Sequence, residues 1–351
     1  MRVEVISPLN SSILSSMLYE GLLFIRSECG DDADLDCLKE LWDKKKDVHF
    51  DFVGNDKKYI DFIKNAKSFN DFAKYMKSII PQDLNIYVSV NPKLQRVFVG
   101  SKSFVESGRK SYSLQIMKVD RYMGITSTEL GITNKEVTVY ADLNGIYLFF
   151  LGLISAYLTS IRGKGVNDYY FLFFDTGVLP FILRNPKNWM VIKENIANEL
   201  KEVLNKLKSV VDEIITLSVL LNSFAVKSIK EQNVRFTSLR LVKLSNEGNT
   251  YKVYNDMPLE IFVDQKIYMN EKVVETLQGV LKTLIDPASK FVNGVDQQGD
   301  GYHAYMALKY LYSYVMTGNS EYLEKCFREI HEADRINPEK GYLLWASKKL
   351  I

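Results

Sequence analysis

Short alternating stretches and long helical stretches follow one another along this chain, and their order predicts a mixed architecture. Residues 3–6 have the pattern of a short buried strand, and a serine-rich loop then precedes an amphipathic helix that we expect to reach about residue 26. Residues 84–90, 94–100 and 112–119 alternate apolar and polar positions between turn residues. This second pattern is typical of an antiparallel β-meander.

The remaining chain continues the alternation of strands and helices. Residues 136–145 predict a further strand and turn, residues 146–161 an apolar helix, and residues 169–174 a buried strand. Residues 189–228 have helical spacing, residues 234–263 predict a second meander, and everything after residue 269 is helical. We therefore predict an α+β fold. A mixed α/β body with antiparallel β-meanders and long helices would span residues 1–265, and a helical C-terminal region would span residues 266–351.

Composition indicates a globular, cytoplasmic protein without a membrane span. Apolar residues make up 46% of the chain and charged residues 25%, and the net charge is only +2, so any attraction to nucleic acid must come from local patches. The apolar stretch 146–161 is shorter than the roughly 20 residues that a membrane helix needs. Three cysteines form no motif, which favours thiols in a reducing cytoplasm. Abundant Tyr, Lys and Ile are compatible with a heat-adapted source.

The sequence contains no recognisable catalytic or metal-binding motif. The three histidines, His49, His303 and His331, are isolated from one another, and Cys29 and Cys37 lack the tight spacing of a zinc knuckle. The segment 296–301 begins like a calcium loop, but its terminal glutamate position is occupied by alanine. We expect a non-enzymatic protein without metal or cofactor. A metal-dependent nuclease whose site is scattered along the sequence remains an alternative.

The segment SIRGKGVNDYYFLFFD, residues 160–175, contains two glycines between cations. A phosphate-binding P-loop needs a strand before the loop, a helix after it, and Ser or Thr after the lysine. The predicted order here is helix, loop, strand, and Gly165 follows Lys164. We interpret Gly163 as a helix C-cap. Its neighbours Arg162 and Lys164 are also candidates for contact with a nucleic-acid backbone.

Local charge is the strongest functional signal in the sequence. Residues 20–43 carry eight acids and two bases, whereas residues 57–118 carry twelve bases and four acids, a local charge of +8. Cations in and between short strands, interleaved with aromatic residues, suit a surface that follows phosphates and stacks unpaired bases. The candidate nucleic-acid-binding residues are Arg162, Lys164, Arg109, Lys110, Lys93, Arg96, Lys102, Arg235 and Arg240.

The N-terminal loop offers a second candidate site. Asn10, Ser11 and Ser12 lie between the first predicted strand and the first helix, where backbone amides at a helix N-terminus can hold a phosphate. A regulator that senses a cyclic oligonucleotide is therefore an alternative function. Ordinary helix capping by Ser11 or Ser12 accounts for the same residues.

Three stretches resemble one protein family. They are VEVISPLNSSILSSMLYEGLLFIR at the N-terminus, the apolar helix with IRGKG and YYFLFFD in mid-chain, and YMALKYLYSYVMTGNSEYLEKCFREI near the C-terminus. Together they resemble the large subunit of archaeal type I-A CRISPR interference (Cascade) complexes, which serve antiviral defence. The resemblance implies a non-catalytic subunit that contacts guide RNA and target DNA, helps recognise the target motif, and binds other subunits and a helicase-nuclease.

Overall fold

The computed structural model describes residues 13–30, 87–91, 96–100, 111–117, 138–162 and 167–342, and the predicted α+β class is confirmed. The chain divides into two compact units. The first comprises Met1–Met190 with Leu239–Pro258, and the second comprises Val191–Ser238 with Leu259–Ile351. This division differs from the predicted boundary after residue 265, because helices between residues 191 and 238 pack with the C-terminal helices.

Two closely packed helices lie in the first unit. Helix α1 (Ile13–Cys29) matches the predicted N-terminal helix and is buried along almost its whole length. Helix α2 (Leu143–Ala156) begins at Asp142, whose carboxylate accepts a hydrogen bond from the amide of Gly145 at 2.9 Å. The helices cross at Gly21 and Gly152, where an added Cβ would overlap a backbone carbonyl of the facing helix. Only glycine allows the two backbones to approach this closely.

The first unit also contains a three-stranded sheet in the order β1 (Tyr87–Asn91), β2 (Arg96–Gly100), β3 (Thr138–Ala141). The predicted hairpin of β1 and β2 is confirmed, with antiparallel pairing. The predicted third strand of this meander, at residues 112–119, is wrong within the described part. Tyr112 forms an isolated bridge to Ala141, and a single 3₁₀ turn follows. β3, from much further along the chain, takes the third place and runs parallel to β2.

A four-stranded sheet has the order β4 (Tyr157–Arg162), β5 (Asn167–Phe174), β6 (Phe236–Glu247), β7 (Thr250–Phe262). The helix predicted over residues 146–161 ends at Ala156, and the chain continues directly into β4. The interpretation of Gly163 as a helix C-cap is therefore wrong. The last two segments predicted for the second meander form one long strand, β7. It includes Pro258 and lies at the edge of the sheet. An edge strand tolerates proline, which has no backbone N–H, because its outward-facing N–H groups have no strand to bond to.

The second unit is largely helical, as predicted for the C-terminal region. After the short α3 (Leu179–Ile182) of the first unit come α4 (Pro186–Leu207), α5 (Asp212–Leu220), α6 (Ser223–Glu231), α7 (Glu271–Val292), α8 (Asp300–Thr317) and α9 (Ser320–Ile336). Short 3₁₀ segments occupy Thr176–Val178, Lys266–Met269 and Pro338–Lys340. Helices α7, α8 and α9 pack in sequence order, and α5 packs against α8. None of the helices described is long and apolar enough to cross a membrane.

A buried carboxylate links the start of α8 to the segment that follows α9. Asp300, in the first turn of α8, accepts hydrogen bonds from Lys340 Nζ at 2.6 Å, Tyr342 Oη at 3.1 Å and Asn337 Nδ2 at 3.4 Å. Burial by itself raises the pKa of Asp300, but the ammonium of Lys340 and the hydroxyl of Tyr342 outweigh it, so the pKa lies below its usual value. These three partners fix the segment after α9 onto the start of α8.

The cysteines differ from expectation at one position. Cys29, expected to be a thiol, is disulfide-bonded. Cys326 is a free thiol, and burial raises its pKa to about 12 because the thiolate would be desolvated.

We predict that Gly152→Ala lowers the free energy of unfolding by at least about 2 kcal/mol, because the new methyl group forces α1 and α2 apart. Chemical denaturation of the purified chain measures this loss. Asn198→Ala, at an exposed position inside α4, is the control and should cost nothing. Equal stability of Gly152→Ala and the unmodified chain would contradict the close crossing.

We further predict that Asp300→Asn loses about 1–2 kcal/mol at pH 7. A lowered folded-state pKa stabilises the fold above the unfolded pKa of about 3.9, and that contribution disappears as the pH falls through the folded value. Denaturation curves at pH 7 and below about pH 3 should therefore show the difference shrinking with acidity. Glu321→Gln, which removes an exposed ion pair with Lys325, should have no measurable effect at either pH. A loss from Asp300→Asn that is independent of pH would count against a stabilising charge.

Candidate nucleic-acid interface

The three-stranded sheet of the first unit has one buried face. Val97, Val99, Val139 and Ala141 are almost completely inaccessible to solvent, and α2 packs against both β2 and β3. Side chains alternate between the two faces of a strand, so the residues between these positions project to the opposite side. The alternation of Val with larger or charged residues in RVFVG and TVYA thus determines which side chains remain accessible.

The opposite face carries a cation and two aromatic rings. Arg96 is exposed, and Phe98 and Tyr140 are half-buried. The parallel register places Phe98 beside Tyr140, and their rings stack with centroids 5.6 Å apart and an interplanar angle of 22°. The guanidinium carbon of Arg96 lies 5.1 Å from the centre of the Tyr140 ring. We call Arg96, Phe98 and Tyr140 the aromatic face.

Asp142 holds β2, β3 and α2 together beneath this face. Its amide donates to the carbonyl of Val99 at 3.0 Å, while its buried carboxylate caps α2. The carboxylate also occupies the space that a side chain at position 100 would need, so Gly100 is required at the end of β2. These contacts connect the ends of both strands to the start of the helix.

The aromatic face combines the two chemical properties that bind single-stranded nucleic acid. A guanidinium over an aromatic ring is held by a cation–π interaction and keeps its outward N–H groups available for a phosphate. No carboxylate in the described ranges pairs with Arg96, so its charge is not neutralised there. Stacked rings at a sheet surface provide a platform for unpaired bases.

Several predicted site residues lie outside the described residues. They are the cations Lys93, Lys102, Arg109, Lys110 and Lys164, and the three residues of the alternative ligand loop, Asn10, Ser11 and Ser12. In sequence, Lys93 lies between β1 and β2, and Lys102 comes two positions after β2 ends. These two cations remain candidates from the sequence alone.

Two further predicted cations are exposed at the ends of strands of the other sheet. Arg162 is the last residue of β4 in the first unit and pairs in register with Asn167. Arg235 immediately precedes β6, belongs to the second unit, and accepts a hydrogen bond from the Val263 amide through its backbone carbonyl. Each side chain is accessible to solvent, and neither belongs to the sheet of the aromatic face.

The prediction for Arg240 is wrong. Its side chain is only 9% exposed and makes a two-point contact with the carboxylate of Asp256, including Nε to Oδ1 at 2.6 Å. It also donates to the hydroxyl of Ser16 in α1 at 3.3 Å. A buried guanidinium with these partners fixes α1 to the sheet and is not available for a phosphate.

Sequence reasoning missed Tyr140. The pattern around Phe98 was visible as an aromatic among cations, but Tyr140 lies 42 positions later in a separate short strand. Only the parallel pairing of β2 with β3 brings the two rings together. The alternating pattern of TVYA predicted a strand but not its neighbour.

No three or more His, Cys, Asp or Glu side chains within the part of the chain that the structure describes are grouped to hold a metal ion. No family model matches the chain, and no solved structure matches it. An uncharacterized protein of Archaeoglobus fulgidus is 23% identical over 249 residues, which cover 67% of this chain and 63% of the relative. The chain thus spans less than two thirds of the length of the relative it matches.

We predict that Arg240→Ala lowers the free energy of unfolding by about 3 kcal/mol, because it leaves the carboxylate of Asp256 without its partner in a largely buried place. Chemical denaturation measures the loss. Arg162→Ala is the matched control at an exposed site and should change stability by less than about 0.5 kcal/mol. The double variant Arg240→Ala, Asp256→Ala should lose less than the sum of the two single variants. An additive loss would mean that the pair does not interact.

Proposed function

We propose that this chain is a non-catalytic nucleic-acid-binding subunit of a guide-RNA interference complex of the CRISPR type, located in the cytoplasm. Its aromatic face would contact the backbone and unpaired bases of target DNA or guide RNA. The observation that carries this proposal is the stack of Arg96 on Tyr140 and Tyr140 on Phe98, on the accessible side of a sheet whose other side is buried.

The distribution of charge supports this placement. The predicted cations closest in sequence to the aromatic face lie within the stretch 57–118, which carries a local charge of +8 on a chain whose net charge is only +2. A local basic surface draws phosphates to one place without making the whole protein adhere to nucleic acid. Aromatic rings at that place favour single strands, whose bases are free to stack.

The resemblance to the large subunit of type I-A interference complexes supports the assignment to a complex. In such assemblies base pairing between guide and target reads the sequence, and protein subunits hold backbones, the displaced strand and the short motif beside the target. The proposed partners are guide RNA, target DNA, the other subunits of the complex and the helicase-nuclease. The acidic stretch at residues 28–43 is a candidate contact for a basic neighbouring subunit, or a guard against misplaced nucleic acid.

We predict that Arg96→Ala and Tyr140→Ala weaken binding of a single-stranded oligonucleotide in two different ways. Loss of Arg96 removes one phosphate contact, so the slope of log affinity against log salt should become shallower by about 0.7. Loss of Tyr140 removes a stacking partner, which should weaken binding by about 1–3 kcal/mol and leave the salt slope unchanged. Fluorescence anisotropy with a labelled 20-mer at four salt concentrations measures both quantities.

Two controls accompany this experiment. Tyr140→Phe keeps the ring and should keep the affinity, whereas Lys201→Gln removes an exposed cation from α4 and should change neither quantity. Removing the charges of Arg109 and Lys110 should also flatten the salt slope. Binding that is unaffected by Arg96→Ala and by Tyr140→Ala would remove the aromatic face as the interface.

A further inference from the structure

The second unit contains a small open cavity that the proposed interface does not use. It lies beside α6, the 3₁₀ segment Lys266–Met269 and the start of α7, and its volume is about 150 Å³. An enclosed cavity of about this volume is known to hold one benzene ring. Buried Val226 and Val274 form part of its wall. The space therefore suits a single ring better than a fused pair of rings.

Aromatic side chains line the cavity. Phe224, at the start of α6, is 43% exposed although its ring is apolar. Tyr268 is buried, and its hydroxyl has no hydrogen-bond partner among the described residues. A buried hydroxyl without a partner is unfavourable in the free protein, and the accessible Phe224 ring offers a surface on which a planar ligand can stack. A planar ligand with polar edges would stack on the Phe224 ring and place its edges beside the polar groups of the cavity wall.

The remaining walls carry opposite charges. Lys227 and Lys230 belong to α6, whereas Glu271 and Glu275 belong to α7. No ion pair links these four side chains to one another or to any other side chain in the described ranges, and Lys230 instead donates to the backbone carbonyl of Tyr268. One side of the cavity therefore offers hydrogen-bond donors, and the other side offers acceptors.

We propose that this cavity binds a single unpaired pyrimidine base, and cytosine in particular, that has left the stack of a nucleic acid. The inference rests on the proposed nucleic-acid-binding function and adds a base-reading site to it. Cytosine carries an amino donor at N4, which a glutamate accepts, and acceptors at N3 and O2, which a lysine ammonium can contact. Proteins that hold an extruded base read it in this way, by stacking and by hydrogen bonds to its pairing edge.

The same walls discriminate against the other bases. Uracil and thymine place a carbonyl oxygen where cytosine has its amino group, and that oxygen would face a carboxylate without a proton between them. Purines carry a second ring, which would project out of a cavity of this volume and lose contact with its walls. A pair of well-placed contacts distinguishes bases by about 1–3 kcal/mol, or roughly 5- to 150-fold in affinity.

Saturation-transfer NMR of cytidine and uridine with the full-length chain tests this site directly. We expect cytidine to bind about tenfold more tightly than uridine. Phe224→Ala should abolish the cytidine signal, and Glu275→Gln, which keeps an acceptor oxygen but loses the charge, should weaken cytidine binding severalfold; both positions are exposed, so neither variant should lower the melting temperature. Glu231→Gln, at an exposed position of α6 away from the cavity lining, is the matched control and should leave cytidine binding intact.

The outcomes separate this inference from the proposed function. Equal binding of the two nucleosides, no binding of either, or cytidine binding that survives both variants would overturn the cavity assignment. Displacement of cytidine by added glycine would also overturn the assignment. Glycine carries one ammonium and one carboxylate, so its binding would mean that the cavity recognises a pair of charges and not a base. If single-stranded oligonucleotides bind through Arg96 but cytidine does not bind, only the assignment of the cavity is rejected. If oligonucleotides do not bind at all, the proposed nucleic-acid-binding function is rejected.

Discussion

The close crossing of α1 and α2 is the constraint on which the first unit depends. Gly21 and Gly152 let the two backbones meet, and the contact is completed by a 2.6 Å hydrogen bond from Ser155 to the carboxylate of Glu20. The same α2 covers the valine face of the three-stranded sheet. On the opposite side of that sheet Arg96 is exposed, and the half-buried rings of Phe98 and Tyr140 lie side by side in register.

Local patterns predicted those elements whose hydrophobic period is unambiguous. Helix α1, the hairpin of β1 and β2, and the helices after residue 269 follow from residue spacing alone. The pairing of β2 with β3 could not be predicted, because the two strands are far apart in the sequence and no local pattern specifies which strands pair. Residues 112–119, which follow the hairpin directly, were therefore predicted as the third strand. The apolar run through residues 146–161 has no periodicity that marks a change from helix to strand, so the end of α2 at Ala156 was missed.

Charge in a sequence gives the number of cations but not their burial. Arg96 and Arg240 both lie in strands among apolar residues, and the sequence assigns them equal potential for phosphate contact. In the structure Arg240 is committed to Asp256 and Ser16, whereas Arg96 lies over the ring of an accessible tyrosine. The difference is set by which face of each sheet a helix covers. A proposed interface therefore has to be argued from the exposed side of a sheet as well as from the basic residues nearby.

Photo-crosslinking offers the most direct test of the proposal that the aromatic face binds single-stranded nucleic acid. An oligonucleotide carrying a photoreactive base, irradiated on the full-length chain and analysed by mass spectrometry, reports which side chains stack on that base. We expect the modified residues to be Phe98 and Tyr140, with the yield falling when unlabelled oligonucleotide competes. Crosslinks confined to peptides without β2 or β3, at competitor-sensitive sites, would contradict the account.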